Sequence, residues 1–259
     1  MRGDETAFAA EWRNWQGERL RELNAVDGPS TLRTTHWLDE GDTVPGVSGA
    51  WNVRDGEVVL RLDDGREVVA LQAGSEIPPR IQLDGVTVQV TNRSGRFGVR
   101  VFDHALAGGV MVETFVPSER WAVQGTFEPL PRAATLDYAF AFDSAPRRLR
   151  TPGIVTFRLA GVDYRTQPFA DDDSLLLVFA DATTGTSTKP PARFLSIAPP
   201  GRGGGVVLDF NRAYLPPCAF SDQFNCPLPP AAHRLRAAVT AGERFPGSLL
   251  SSYAASSSA

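Results

Sequence analysis

Lysine is almost missing from this chain of 259 residues: Lys189 is the single one, and the other 25 basic residues are arginine. It stands in the polar stretch Ser187-Thr188-Lys189-Pro190-Pro191. Schiff-base chemistry needs a desolvated amine, so that chemistry is excluded. Cysteine is nearly as scarce, with two residues, which excludes a disulfide-dense mini-domain and a zinc module built on paired CxxC motifs. No apolar run is long enough to cross a membrane as a helix. Excess positive charge is absent as well: the net charge is -4, and Arg147-Arg148-Leu149-Arg150 is the one basic cluster. Phosphate-backbone binding draws its affinity from clustered positive charge, so no nucleic-acid partner is expected. The dispersed arginines fit codon usage better than anion recognition. The start, Met1 to Trp12, has no apolar core followed by small residues of a cleavage site, and a cytoplasmic location is expected. Glycine-rich phosphate loops, HExxH and the GxSxG elbow are missing too. No cofactor and no metal is therefore expected.

What remains is 42% hydrophobic and 22% charged. A chain of this size buries about three quarters of its unfolded surface, enough for one large domain or two small ones. Phe8, Trp12, Trp15 and Arg19-Leu20 recur at helical spacing over residues 5–23, with Glu11, Arg13 and Glu18 mostly opposite. Asp27-Gly28-Pro29 stops that helix. Its tryptophans read as a face that docks on the rest of the chain. From residue 50 the pattern becomes short alternating runs, at 50–53, 57–62, 66–71, 86–91 and 97–102. Asp55-Gly56, Asp63-Asp64-Gly65, Asp84-Gly85 and Ser94-Gly95 separate them, where hairpins need positive φ. Further strands are expected near 121–128, 135–142, 153–159, 162–168, 174–181, 193–198, 205–211 and 235–240. The fold class is mainly β: an N-terminal helix (1–28), a first antiparallel β module (29–116), a second (117–246) and a disordered Ser/Ala-rich tail (247–259). Each module is expected to be a sandwich or a partly open barrel.

The run Val207-Leu208-Asp209-Phe210-Asn211-Arg212-Ala213-Tyr214, followed by Pro216-Pro217-Cys218 and Cys226-Pro227-Leu228-Pro229-Pro230, resembles the bacterial and archaeal family known as domain of unknown function 1684. Phe179-Ala180-Asp181, Arg193-Phe194-Leu195, Phe127-Glu128-Pro129 and His36-Trp37-Leu38 extend the likeness over residues 5–245. The resemblance implies a helix, a first β module similar to forkhead-associated sandwiches, and a second module that carries the signature. It implies no established activity. Asp27-Gly28-Pro29-Ser30-Thr31-Leu32, Lys189-Pro190-Pro191-Ala192 and Ala232-His233-Arg234-Leu235 depart from the family pattern. A divergent specialist in bacterial secondary metabolism is one expectation they raise.

Period-two geometry over residues 206–214 puts Val207, Asp209 and Asn211 on one face. Asp181 ends a comparable strand. If those strands are neighbours, Asp181, Asp209 and Asn211 converge with Arg193 and Arg212. The result is either a polar pocket or a buried network that holds the loop after residue 214. Asp209, Asn211, Arg193 and His36 are the catalytic candidates; Asp181, Arg212, Tyr214 and Trp37 are the substrate-binding ones. Cys218 and Cys226 are a disulfide candidate, with structural thiols and a metal or nucleophile role left open. The leading expectation is an acid–base enzyme of hydrolase, lyase or cyclase type that acts on a largely apolar small molecule without a redox cofactor. A forkhead-associated-type interaction module and a carrier of a lipid-like ligand are the alternatives. Nothing in the residues sets an oligomeric state.

Overall fold

A computed structural model describes residues 7–39, 41–72, 79–93, 95–132, 134–143 and 145–248. Of the tail expected over 247–259, Gly247 and Ser248 belong to the last strand, and residues 249–259 lie outside the described residues. The helix α1 runs Ala7–Leu23. Its inward face is Phe8, Trp12, Trp15 and Arg19, four residues at helical spacing of which Arg19 is the most buried. No helix among the described residues is long and apolar enough to cross a membrane. Among the described residues eighteen strands follow; every strand pair with a resolved register is antiparallel, and none of the sheets closes into a barrel.

The chain divides into two compact units, Arg21–Val110 and a second made of the residues up to Leu20 together with those from Met111 onward. The first unit contains β1 (Leu32–Trp37), β2 (Ala50–Arg54), β3 (Glu57–Arg61), β4 (Glu67–Leu71), β5 (Arg80–Leu83), β6 (Val86–Arg93) and β7 (Arg96–Asp103). One sheet has the order β1-β7-β6-β5, the other β2-β3-β4. The expected runs from 50 to 102 are the strands β2, β3, β4, β6 and β7. Asp55 and Gly56 both take positive φ, 51° and 82°, as a two-residue hairpin turn demands. Trp51, Val58, Leu60, Val88, Val99 and Val101 form the core of this unit.

The second unit contains β8 (Val110–Thr114), β9 (Ala122–Pro129), β10 (Thr135–Tyr138), β11 (Arg147–Arg150), β12 (Gly153–Leu159), β13 (Val162–Thr166), β14 (Phe169–Asp171), β15 (Ser174–Phe179), β16 (Arg193–Ile197), β17 (Gly205–Asp209) and β18 (Glu243–Ser248). Its sheets are β13-β12-β9-β17, β14-β15-β16, β10-β11 and β18-β8. Phe157, Leu177, Phe179, Leu195, Leu208 and Phe210 meet in the main core. Phe210 touches both Phe157 and Phe179, with ring centroids 6.0 and 5.5 Å apart. A smaller cluster joins Tyr138, Val178, Phe194 and Cys226.

Two expected strands end differently. β17 alternates as expected through Val206 and Leu208, both buried, and the exposed Val207. It stops at Asp209, whose carboxylate accepts the backbone N–H of Asn211 at 3.1 Å and caps a 3-10 turn over Phe210–Arg212. Asn211 therefore leaves the face it was assigned and is completely buried. The stretch 235–240 is not a strand. Leu235, Val239 and Ala241 are buried like strand residues, but the carbonyls of Val239 and Ala241 bond to the Arg193 guanidinium instead of a neighbouring strand. Gly242 then passes close under residues 210–213 with φ +76°. An added Cβ would collide with the Ala213 carbonyl oxygen and lie 2.9 Å from that of Phe210. Gly242→Ala is expected to cost at least ~2 kcal/mol from the left-handed backbone and the clash together, read as a fall in urea midpoint at unchanged slope.

Candidate functional site

Two clusters in the second unit collect most of the signature polar residues. In the first, β15 delivers the chain to Asp181 and β16 begins at Arg193. The Arg193 Nη2 donates to Asp181 Oδ2 at 2.5 Å and to the Val239 carbonyl at 2.9 Å. Its Nη1 donates to the Ala241 carbonyl, and to that of Glu243 at 3.3 Å. Asp181 also accepts the Thr183 backbone N–H and hydroxyl, at 2.6 and 2.5 Å. The side chains of Arg193 and Asp181 are 1% and 0% exposed. Burial pushes the guanidinium below its ordinary pKa, against the pull of the Asp181 carboxylate. It remains a cation, since arginine is far from deprotonation at neutral pH.

Glu243 extends this network to the helix. Its Oε1 accepts Arg19 Nε at 3.1 Å and its Oε2 accepts the Leu215 N–H at 2.6 Å. Arg19 Nη2 donates to the Leu215 carbonyl at 2.9 Å, and the guanidinium lies 4.8 Å from the Tyr214 ring centre. Tyr214 meets Phe194 edge-on at 5.9 Å. Sequence reasoning missed Arg19 and Glu243. One signal was available for Arg19, a charged residue inside the apolar stripe of an amphipathic helix; Glu243 carried none.

The second cluster lies around the 3-10 turn. Asp209 Oδ1 accepts Asn211 Nδ2 at 2.8 Å, and Oδ2 pairs with Arg212 Nε at 3.2 Å. Arg212 also reaches Glu11 of α1, 3.7 Å away. Asn211 is bonded on all sides: Ser118 N–H to its Oδ1 at 2.9 Å, its Nδ2 to the Ser118 carbonyl at 3.0 Å, and Trp12 Nε1 to its own carbonyl at 3.2 Å. The helix thus docks through a tryptophan. Asp181 and Arg193 form one network, Asp209, Asn211 and Arg212 another, and their hydrogen bonds and ion pairs go to different partners. Only Asp209 and Arg212, with side chains 23% and 41% exposed, meet solvent. Arg193 is closed to solvent, and its guanidinium is bonded to carbonyls of the segment from Val239 to Glu243.

His36 and Trp37 belong to the first unit, on β1. His36 Nε2 lies 3.2 Å from Asp42 Oδ2, and both side chains are about one third exposed. The Asp39 N–H donates to the same carboxylate oxygen at 2.8 Å. That bond, with the His36 contact, holds the Asp42 carboxyl below its ordinary pKa. An ionised carboxylate accepts only, so the ring presents Nε2–H to Asp42 and leaves Nδ1 as the acceptor. Trp37 lies across Gly98 of β7, with the Arg93 and Arg96 guanidinium groups 5.0 and 5.8 Å from its ring centre. Thr34 pairs with Val101 and His36 with Val99, so both point to the face carrying the core valines. On that face a cleft of about 320 Å³ is lined by Arg33, Thr34, Pro45, Gly46, Val86 and Val101. Asp42 had no signal in the sequence beyond its nearness to His36.

Cys218 and Cys226 stand as thiols, with the Cys218 N–H donating to Cys226 Sγ at 3.4 Å. No group of three or more His, Cys, Asp and Glu side chains among the described residues could hold a metal ion.

These features define a protein with two antiparallel β units, one of them tied to an N-terminal helix by a buried arginine–carboxylate pair. The model of the family described as "Protein of unknown function (DUF1684)" matches residues 110–244, just over half of the chain, and the chain belongs to that family. The matched residues are those of the second unit; the first lies almost wholly outside them. Among solved structures, the chain is similar to an uncharacterised protein of Haloarcula marismortui determined by NMR in solution. The two are 33% identical over 52% of this chain and 76% of that one, with a TM-score of 0.44. Among curated proteins, none matches.

Proposed function

We propose that this protein is an acid–base enzyme for a largely apolar small molecule, with His36 as the proton acceptor and Asp42 as the residue that positions it. The observation that carries this reading is the His36–Asp42 pair, about one third exposed, on the sheet face that bears the cleft. A histidine oriented by a carboxylate is the general-base unit of hydrolysis, elimination and ring closure. The cleft is at the small end of ligand sites. Pro45, Val86 and Val101 give it apolar walls, and Arg33, paired with Asp103 at 2.9 Å, supplies a cation. The buried Asp181 and Arg193 have a different part in this reading: they hold the second unit together. Asp209 and Asn211 fix the turn after β17.

A panel of p-nitrophenyl esters with short acyl chains tests the reading, with histidine NMR signals followed in the same samples. Turnover is expected to require the His36 ring. His36→Ala is expected to lower it by about 10²–10⁴-fold, the usual worth of a general base. Asp42→Asn should lower kcat by less and alter the pH profile, because the ring loses its fixed tautomer. Full turnover in His36→Ala would overturn the assignment.

A further inference from the structure

The two cysteines sit in a part of the second unit that the proposed chemistry does not use. Cys218 is half-buried in the 3-10 turn Pro217–Ala219, and Cys226 is buried in the small aromatic cluster beside Tyr138, Phe194 and Tyr214. Each is held by its own contacts. The turn around Cys218 is closed by the Ala219 N–H on the Pro216 carbonyl at 2.8 Å and the Phe220 N–H on that of Pro217 at 3.0 Å. Cys226 is fixed from the other side: its carbonyl accepts the Ala141 N–H at 3.2 Å, and the adjacent Asn225 side chain accepts that of Phe142 at 2.9 Å. These separately anchored backbones place Cys226 Sγ 3.4 Å from the Cys218 nitrogen. Loop closure, the usual obstacle to bridging two thiols, is already complete. The Cys226 side chain also hydrogen-bonds the Cys218 thiol; with the Cys218 backbone and the charge of Lys189, this lowers the Cys218 pKa against the effect of burial. The thiol of the more exposed residue is thus drawn towards the reactive thiolate form.

We propose that Cys218 and Cys226 form a thiol–disulfide exchange site that reacts with a low-molecular-weight disulfide of the glutathione type. Cys218 loses its proton and its thiolate attacks one sulfur of the small disulfide. The S–S bond breaks, one small thiolate leaves and takes up a proton, and Cys218 carries the mixed disulfide. Cys226 then loses its proton and attacks the Cys218 sulfur, which expels the second small thiol and closes the Cys218–Cys226 bond. Two electrons pass from the protein to the small disulfide, and two protons end on the two released thiols. Nearness favours the second step over a lasting adduct. The loop between the cysteines, Ala219 to Asn225, becomes a closed ring against the aromatic cluster.

The full-length chain is reduced, freed of reductant and incubated with oxidised glutathione, then read by intact mass and peptide mapping. The expected product has lost two hydrogens and both thiols, with residues 218 and 226 cross-linked. Cys226→Ser is expected to stop at one glutathione on Cys218. Cys218→Ser should react about 10-fold more slowly, since its remaining thiol is buried. A wild-type chain that ends as a stable glutathione adduct, or that keeps both thiols, overturns the proposal. The wild-type product decides the matter even if a variant fails to fold. It reads sulfur and not turnover, so its outcome is separate from that of the His36 assignment.

Discussion

Replacing Arg193 by methionine is expected to remove about 3–5 kcal/mol from the stability of the second unit, the cost of leaving a buried charge without its partner. The Arg193 guanidinium bonds to Asp181 and to the carbonyls of Val239, Ala241 and Glu243. Removing it leaves a carboxylate at 0% exposure and takes a donor from the carbonyls of three buried residues. Domains are stable by only about 5–15 kcal/mol, so the loss takes a large share of the total. Asp181→Asn should fall in the same direction, because the guanidinium then becomes the unpaired charge. The double change Asp181→Leu with Arg193→Met should recover part of the loss, as hydrophobic replacement of a whole buried pair often does. Urea unfolding followed by tryptophan fluorescence measures all three. An Arg193→Met protein of wild-type stability that had lost turnover would return Arg193 to the active site.

The second large effect is expected in acid. His233 is fully buried, its Nδ1 bonded to the Val178 carbonyl at 3.0 Å while its Nε2 accepts the Gln167 N–H at 2.9 Å. Both ring nitrogens are committed to the neutral form. Burial lowers its pKa from the ordinary 6.5 to about 4, although the Val178 carbonyl acts the other way. The unfolded chain therefore binds the proton first as the pH falls. Stability is fully present above about pH 6.5 and declines towards pH 4, where it has lost about 3 kcal/mol from this residue. Below the folded pKa both states are protonated and the loss levels off. His233→Gln cannot take up that proton, so its urea midpoint should stay flatter between pH 6.5 and 4. Equal slopes in the two proteins would show that His233 does not bind its proton differently on unfolding.

Periodicity and turn chemistry carried most of the fold, because those signals are local. The helix was expected over 5–23 and runs Ala7–Leu23. Asp-Gly and Gly turns marked the hairpins, since few other residues take positive φ without strain. The stretch 235–240 misled because burial alone reads as a strand, whereas its Val239 carbonyl is bonded by an arginine more than forty residues earlier. Asn211 misled because the Asp209 carboxylate offers a nearer partner than a continued strand would. The Asp181–Arg193 contact was legible as a possibility; its burial was not, for the segment that covers it is distant in sequence. Arg19 showed itself as a charge inside the apolar stripe of the helix, but its pairing with Glu243 was beyond reach for the same reason, the two being 224 positions apart. His36 was legible and Asp42 was not, since the carboxylate reaches it by a loop that no periodic signal describes.

The division of the chain has a consequence for synthesis. The first unit is continuous in sequence and is complete once residue 110 has been made. Arg19, already in a finished helix, waits more than a hundred further residues for Glu243. At ribosomal speeds of about 5–20 residues per second, that delay is roughly 7–27 seconds. During it the tryptophan face of the helix has neither Asn211 nor the second unit's core to cover it. A nascent chain paused shortly after residue 110 should offer that face to chaperones, and one released past residue 248 should hide it.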